Sequence, residues 1–353
     1  MRPRAYEYTR VNALAMLIVT VASNLIVSDA LFSSIVPRTL RQRSHQRWTR
    51  NFGKTSTLFL NRFLFDPSEI DTCIESDPHS STNSSPIVTL PKNDYRTIHA
   101  AKVLGLLNGD NLRAGIVQDN DIKFNSTSQL SIRAEYSEYA GLVTDEAEIQ
   151  WIPEGKIKKA EPTKNGDPPG SLQIALNSLT PIDTTDLKPR VSLILALPRP
   201  LALARLLPMI AQMGVQDLIL TQAQKVPKDY FGSHLFRKPI GIRNALIEGL
   251  CQAADVQIPS VTIVKRLKPF LEDDLDSMFP KETWARVIAH PQRKGGERAL
   301  RMGKISFSDH LKDSSKKRIV LAVGPEGGWA EPYELDMFQN LGFQQVTLGP
   351  RIL

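Results

Sequence analysis

Hydrophobic positions in the C-terminal half recur in short, nearly unbroken runs. Val191–Leu197 (VSLILAL), Val215–Leu220, Val261–Val264, Thr283–Ala289, Ile319–Val323 and Gln345–Leu348 read as strands. Runs this apolar suit strands covered on both faces. Between them, Leu201–Met213, Ile240–Ala254 and Glu331–Leu341 space their apolar residues at helical intervals, with Pro208 interrupting the first. Strand and helix alternate, which predicts an α/β domain with a largely parallel sheet over residues 190–353.

Upstream the rhythm differs. Leu60–Phe65 begins a strand, and Asp66–Pro86, dense in Ser, Asp, Thr and Pro, reads as a loop or insertion. Asp94–Leu107 has helical spacing and ends at a turn signal, Asn108-Gly109-Asp110. Asn111–Gln118, Ala140–Val143 and Ala147–Ile152 are short β segments. Together they predict a small β-rich domain over residues 61–160. Residues 161–189 read as a polar linker with one strand, Ser171–Leu176.

Residues 1–60 do not read as fold. An uncharged, mostly apolar run, Val11–Ser28, comes after three arginines, and Ser33–Arg50 is rich in Ser and Arg without an acid. A signal-like or anchoring segment and an organelle presequence both fit. The apolar run is also near the ~20 residues that span a bilayer. The expectation is a cleaved targeting segment leading to chloroplast or mitochondrion, with no stable membrane association. A cytoplasmic protein is the alternative.

Charge changes this picture little. The 353 residues carry a net +7, but residues 1–60 hold nine basic and two acidic side chains and so account for all of it. The rest is balanced, so any nucleic-acid footprint must come from local clusters. Such clusters are Lys265/Arg266/Lys268, Arg293/Lys294/Arg298/Arg301/Lys304 and Lys156/Lys158/Lys159. A solvated face is the plainer reading of each run. Two cysteines, Cys73 and Cys251, and six scattered histidines show no CxxC or HxxxH pairing, so no structural metal is expected.

The chain lacks GxGxxG, GxxxxGK[ST] and GxSxG patterns, which removes the dinucleotide, P-loop and hydrolase-elbow readings of an α/β domain. Instead, the Ile319–Val323 strand runs directly into Gly324-Pro325-Glu326-Gly327-Gly328. The glycines of this segment let the backbone approach a flat ligand, and Glu326 can accept from a backbone amide or a ligand amine. A tight strand-to-helix turn without a ligand fits the same residues. Ala289-His290-Pro291 ends another strand, and Leu348-Gly349-Pro350-Arg351-Ile352-Leu353 ends a third, with Arg351 a cation suited to phosphate or carboxylate. Each alone also reads as an ordinary turn.

Taken in order, HP, GPEGG and LGPRIL resemble the RsmE family of SPOUT (trefoil-knot) methyltransferases. Arg205–Val215 and Leu246–Pro259, with Gln252, are similar to helices of that family. His99–Asp110 (HAAKVLGLLNGD) is similar to a stretch of its N-terminal PUA-like β-barrel, with Ala100 and Gly105 departing from the pattern. The resemblance implies an α/β trefoil-knot domain behind a PUA-like barrel. It implies S-adenosylmethionine held by Ala289, His290, Pro291, Gly324, Pro325, Glu326, Gly327, Gly328, Leu348, Gly349, Pro350, Ile352 and Leu353. The implied reaction is methylation of N3 of a uridine in small-subunit ribosomal RNA, with Arg351 at the substrate. RNA contacts are expected from Arg293, Lys294, Arg298, Lys265 and Arg266. A homodimer is also implied.

The family pattern continues past LGPRIL with an RTETA-like segment and a final helix, whereas this sequence stops at Leu353. An incomplete knot, a doubtful dimer and weak or absent activity are therefore expected. Cys251 stands where an acid is common. The alternatives are a non-catalytic RNA-binding or assembly protein that keeps the fold, and a signal-anchored protein with a soluble α/β domain.

Overall fold

The computed structural model describes residues 62–71, 85–118, 122–124, 137–155, 161–163, 165–182, 191–238, 240–291, 300–301 and 318–347. The targeting readings of residues 1–60 lie outside them.

The first sheet is mostly antiparallel. Its strands are β1 (Phe63–Phe65), β2 (Ile70–Asp71), β3 (Ile87–Leu90) and β4 (Asn111–Ile116). A further strand, β5 (Ile122–Phe124), leaves this domain for the edge of the second sheet. The first sheet continues with β6 (Leu142–Pro153), β7 (Gly170–Leu176) and β8 (Thr180–Pro181). The order is β1-β4-β6-β7-β3-β2, with β8 beside β6. Among the described residues these pairings form an open path from β1 to β2. Helix α1 (Tyr95–His99) is opened by Asp94, whose side chain accepts from the Arg96 amide, and continues as a wider π-helical turn, Ala100–Leu104. Trp151, Phe65 and Ile149 anchor this core, and the Trp151 indole donates to the Leu106 carbonyl at 2.9 Å.

Two expectations need correction. The separate strands at 140–143 and 147–152 are one strand, β6, because its partners β4 and β7 run along its whole length. Residues 170–176 are not linker. As β7 they pair with β6 on one side and β3 on the other, and alternate residues are buried.

The second sheet is parallel throughout. It contains β9 (Val191–Ala196), β10 (Asp217–Thr221), β11 (Ser260–Val264), β12 (Trp284–Ala289), β13 (Leu300–Arg301), β14 (Arg318–Val323) and β15 (Gln344–Thr347). The order is β13-β15-β12-β14-β9-β10-β11-β5. From β9 the chain first builds outward through β10 and β11. It then crosses over to build β12, β14 and β15 on the other side. The junction of β9 and β14 is thus a topological switch point, where open α/β sheets form ligand crevices beyond their strand ends. Helices α2 (Pro200–Gln212) and α3 (Ile240–Ala253) pack together, and α4 (Tyr333–Asn340) comes after β14.

The two sheets are tied directly. Strand β5 adds to the edge of the parallel sheet beside β11. Gln118 N–H donates to Val256 O at 2.8 Å, Arg62 N–H donates to Cys251 O at 3.2 Å, and Arg243 pairs with Asp66.

Candidate functional site

Register aligns the ends of four strands. Val346, Ala289, Val323 and Leu195 are successive partners across β15, β12, β14 and β9. The loops that leave three of them, His290-Pro291, Gly324–Ala330 and Leu197–Arg199, therefore gather at one edge with the end of β15. The sequence reading expected the HP, GPEGG and LGPRIL loops to meet, and the first two meet here together with the end of β15. Leu348 to Leu353, including Arg351, and also Arg293, Lys294 and Arg298, lie outside the described residues.

The GPEGG turn is held by hydrogen bonds from every side. Gly328 N–H donates to Pro325 O at 2.7 Å. The Glu326 carboxylate accepts from the Arg199 amide at 3.0 Å, bridging the loops after β14 and β9. Lys225, after β10, donates through Nζ to Gly327 O at 2.7 Å. Gly328 has φ +67°, and a Cβ there would stand 3.5 Å from His290 Cε1. A side chain at this position would meet both the left-handed backbone and the neighbouring loop.

Two carboxylates with different surroundings complete the loop. Glu334, 3% exposed, accepts from Ala330 N–H and Gln224 N–H, each at 2.7 Å. It ties the start of α4 to the loop after β10. Glu331 is half exposed and lies 2.9 Å from His290 Nε2. Gln345 donates through Nε2 to Pro291 O at 2.7 Å, fixing the other end of the HP turn.

Two buried nitrogens at this edge, His290 Nδ1 and Trp329 Nε1, have no hydrogen-bond partner among the described residues. Trp329 is fully buried, with its ring 4.8 Å from that of Phe338. Buried polar atoms are nearly always paired, so two orphans beside a Gly-rich turn mark a place where a polar ligand would complete the bonding. Turn residues that admit close approach and unspent buried nitrogens fit a small flat, polar cofactor.

The sequence profile of the RNA methyltransferase domain family matches residues 185–353. The ribosomal RNA small subunit methyltransferase E of Treponema pallidum is 26% identical over 164 residues, covering 46% of this chain and 55% of that protein. Residues 185–353 are thus similar to the RNA methyltransferase domain family, and part of the chain is similar to an RsmE protein. It spans about half the length of the curated relative it matches. Among solved structures, the S-adenosyl-methionine-bound ribosomal RNA small subunit methyltransferase E of Neisseria gonorrhoeae aligns with a TM-score of 0.48 at 19% identity, covering 83% of this chain and 91% of that one. A probable rRNA-methyltransferase from Porphyromonas gingivalis aligns with a TM-score of 0.48 at 15% identity, covering 83% and 91%.

Several members of the cluster have no motif of their own. Gln224 and Lys225 come after β10 without a glycine signature, and Gln224 and Arg199 take part through their backbone amides. Glu334 was legible in principle, because a carboxylate in the first turn of a helix commonly accepts from amides just before it. Glu326 was expected to hold either an amide or a ligand; in the structure it holds the Arg199 amide. Lys265 and Arg266 are exposed just past the end of β11, at the same edge as the GPEGG turn but three strands away.

Proposed function

We propose that this chain is an S-adenosylmethionine-dependent methyltransferase that modifies N3 of a uridine in small-subunit ribosomal RNA. The observation that carries the reading is the meeting of the HP and GPEGG turns at the switch point, with His290 Nδ1 and Trp329 Nε1 buried beside them without a partner among the described residues. The trefoil-knot architecture, a PUA-like role for the first domain and a homodimer belong to the same proposal, as does delivery to an organelle by residues 1–60.

In this reading Ala289, His290, Pro291 and Gly324 to Gly328 hold the cofactor, together with Leu348, Gly349, Pro350, Ile352 and Leu353. When bound, S-adenosylmethionine supplies an electrophilic methyl group on a sulfonium. The chain's own work is positioning. The left-handed Gly328 and the Glu326–Arg199 tie keep the turn open to a flat ligand, and holding two reactants in line is a large share of the acceleration of such transfers. Lys265 and Arg266 offer charge to the RNA backbone at the same edge, and that contribution weakens as salt rises.

The test is incubation with radiolabelled S-adenosylmethionine and small ribosomal subunits that lack the modification, then nucleoside mass spectrometry. Label in 3-methyluridine is expected. Label in another nucleoside would overturn the N3 assignment, and cofactor binding without any transfer to RNA would favour the assembly-protein alternative.

A further inference from the structure

A cavity of ≈ 570 Å³ lies between the two domains. Ligand sites commonly enclose roughly 300–1,000 Å³ and favour domain junctions. One wall is α1, which contributes Tyr95 and His99, four residues apart and so on one helical face. The facing wall is α3, which contributes Asn244, Glu248 and Gln252 at the same spacing. Phe63 of β1 closes one side, its ring 6.1 Å from that of His99.

This cavity is distinct from the loop cluster. Helix α3 leaves the strand-end edge after β10 and delivers the chain to the start of β11. Its last turns, which line the cavity, therefore lie toward the opposite edge of the parallel sheet.

The cavity's cations are already committed. Arg96 donates to Glu69, Asp94 and Leu64 O, and Arg62 to Ala114 O and Asp145. Arg62 Nε is left over, buried and without a partner among the described residues, but both guanidinium groups already hold a carbonyl or carboxylate, so a phosphate would have to displace one. The groups that remain are those that read bases: two amides, one carboxylate, an imidazole and an aromatic ring. Tyr95 is 65% exposed. His99 Nε2 is buried without a partner among the described residues, and burial pushes the His99 pKa down, so the ring is neutral at neutral pH. Single-stranded RNA is recognised by unstacked bases that lie on aromatic rings and hydrogen-bond through their edges.

We infer that this interdomain cleft receives one unstacked nucleobase of the RNA, and that Glu248 selects a base bearing an exocyclic amine. A carboxylate accepts from the cytosine N4 amine and has no such donor at the uracil O4. The base held here is thus another nucleotide of the same RNA, at a distance from the methylated uridine, because the cleft lies toward the opposite edge of the sheet from the HP and GPEGG turns. The inference rests on the reading of the chain as an RNA methyltransferase.

The test is ultraviolet cross-linking of the full chain to short oligocytidine and oligouridine, with peptide mapping and parallel affinity measurements. Cross-links within residues 95–99 or 244–252 are expected, with oligocytidine binding the tighter. Asn244, Glu248 and Gln252 are exposed, so their variants should melt like the parent chain. Tyr95→Ala should weaken binding by about tenfold, the range of a lost base stack. Glu248→Gln should erase the preference for cytidine. Oligonucleotides that bind but cross-link only elsewhere, with full affinity retained by Tyr95→Ala, would overturn the cleft and leave the methyltransferase reading intact. Absence of binding to any RNA by the parent chain would overturn both.

Discussion

Strands β7 and β9 have similar lengths and opposite surroundings. All six residues of β9 are buried, whereas β7 alternates buried and half-buried positions along its seven. The parallel sheet is covered on both faces, so its chemistry has only the edge to occupy, and there the HP and GPEGG turns meet. The antiparallel sheet keeps one face open and meets the other domain through α1 and β1. The described residues thus offer two candidate places for ligands: a strand-end cluster whose polar groups mostly hold the loops, and a cleft whose amides and carboxylate have no partner among the described residues.

The largest expected effect strikes the parallel domain. A Cβ at Gly249 of α3 would lie 1.9 Å from Pro208 O of α2, so the two helices must separate to admit Gly249→Ala. The cost should be about 3 kcal/mol in urea unfolding, the upper range for overpacking. A near-neutral result would mean that the helices are not packed this closely. Next comes Glu334→Ala, which strands two buried amides. A loss of about 2–3 kcal/mol is expected, together with weakened cofactor binding, and unchanged binding would detach Glu334 from the site. Trp151→Phe should cost about 1 kcal/mol by loss of one buried hydrogen bond. Hydrogen exchange should place that loss in the antiparallel domain, leaving β9 and β14 protected.

The smallest effect is on pH dependence. Burial holds the His99 pKa below its ordinary 6.5. The neutral ring therefore contributes stability that is complete above about pH 6.5 and is lost as pH falls through the lower folded value. Because the ring is half-buried, the effect is small. His99→Asn should flatten unfolding midpoints between about pH 7 and 5, and an unaltered slope would rule out His99 as the titrating group.

The two sheets were not equally legible. Runs such as VSLILAL and IVLAV have no competing reading, and β9 and β14 lie within a residue of where the pattern put them. Residues 170–176 carry the β alternation, but the flanking Pro, Gly and Asp made them look like an island in a linker. Only the tertiary partners β3 and β6 reveal them as interior. The π-helical turn at Ala100–Leu104 and the three short helical segments between Leu267 and Met278 also escaped, since helical periodicity does not distinguish i+4 from i+5 bonding. At the site, HP and GPEGG were visible because glycine and proline mark turns. Lys225 and Gln345 were not, because a side chain that bonds a distant carbonyl leaves no local pattern. The interdomain cleft was invisible for the same reason: Tyr95 and Asn244 are 149 positions apart in the sequence.

Everything proposed for the parallel domain depends on the strand-end loops forming the cofactor pocket. Calorimetric titration of S-adenosylmethionine into the full chain and into Gly328→Val examines that pocket without recourse to RNA. Gly328→Val forces a β-branched side chain into φ +67° beside His290. One cofactor should bind per chain, with binding lost in Gly328→Val and retained in Tyr95→Ala. Equal binding by the parent chain and Gly328→Val, or no binding by a folded parent chain, would contradict the assignment of the pocket.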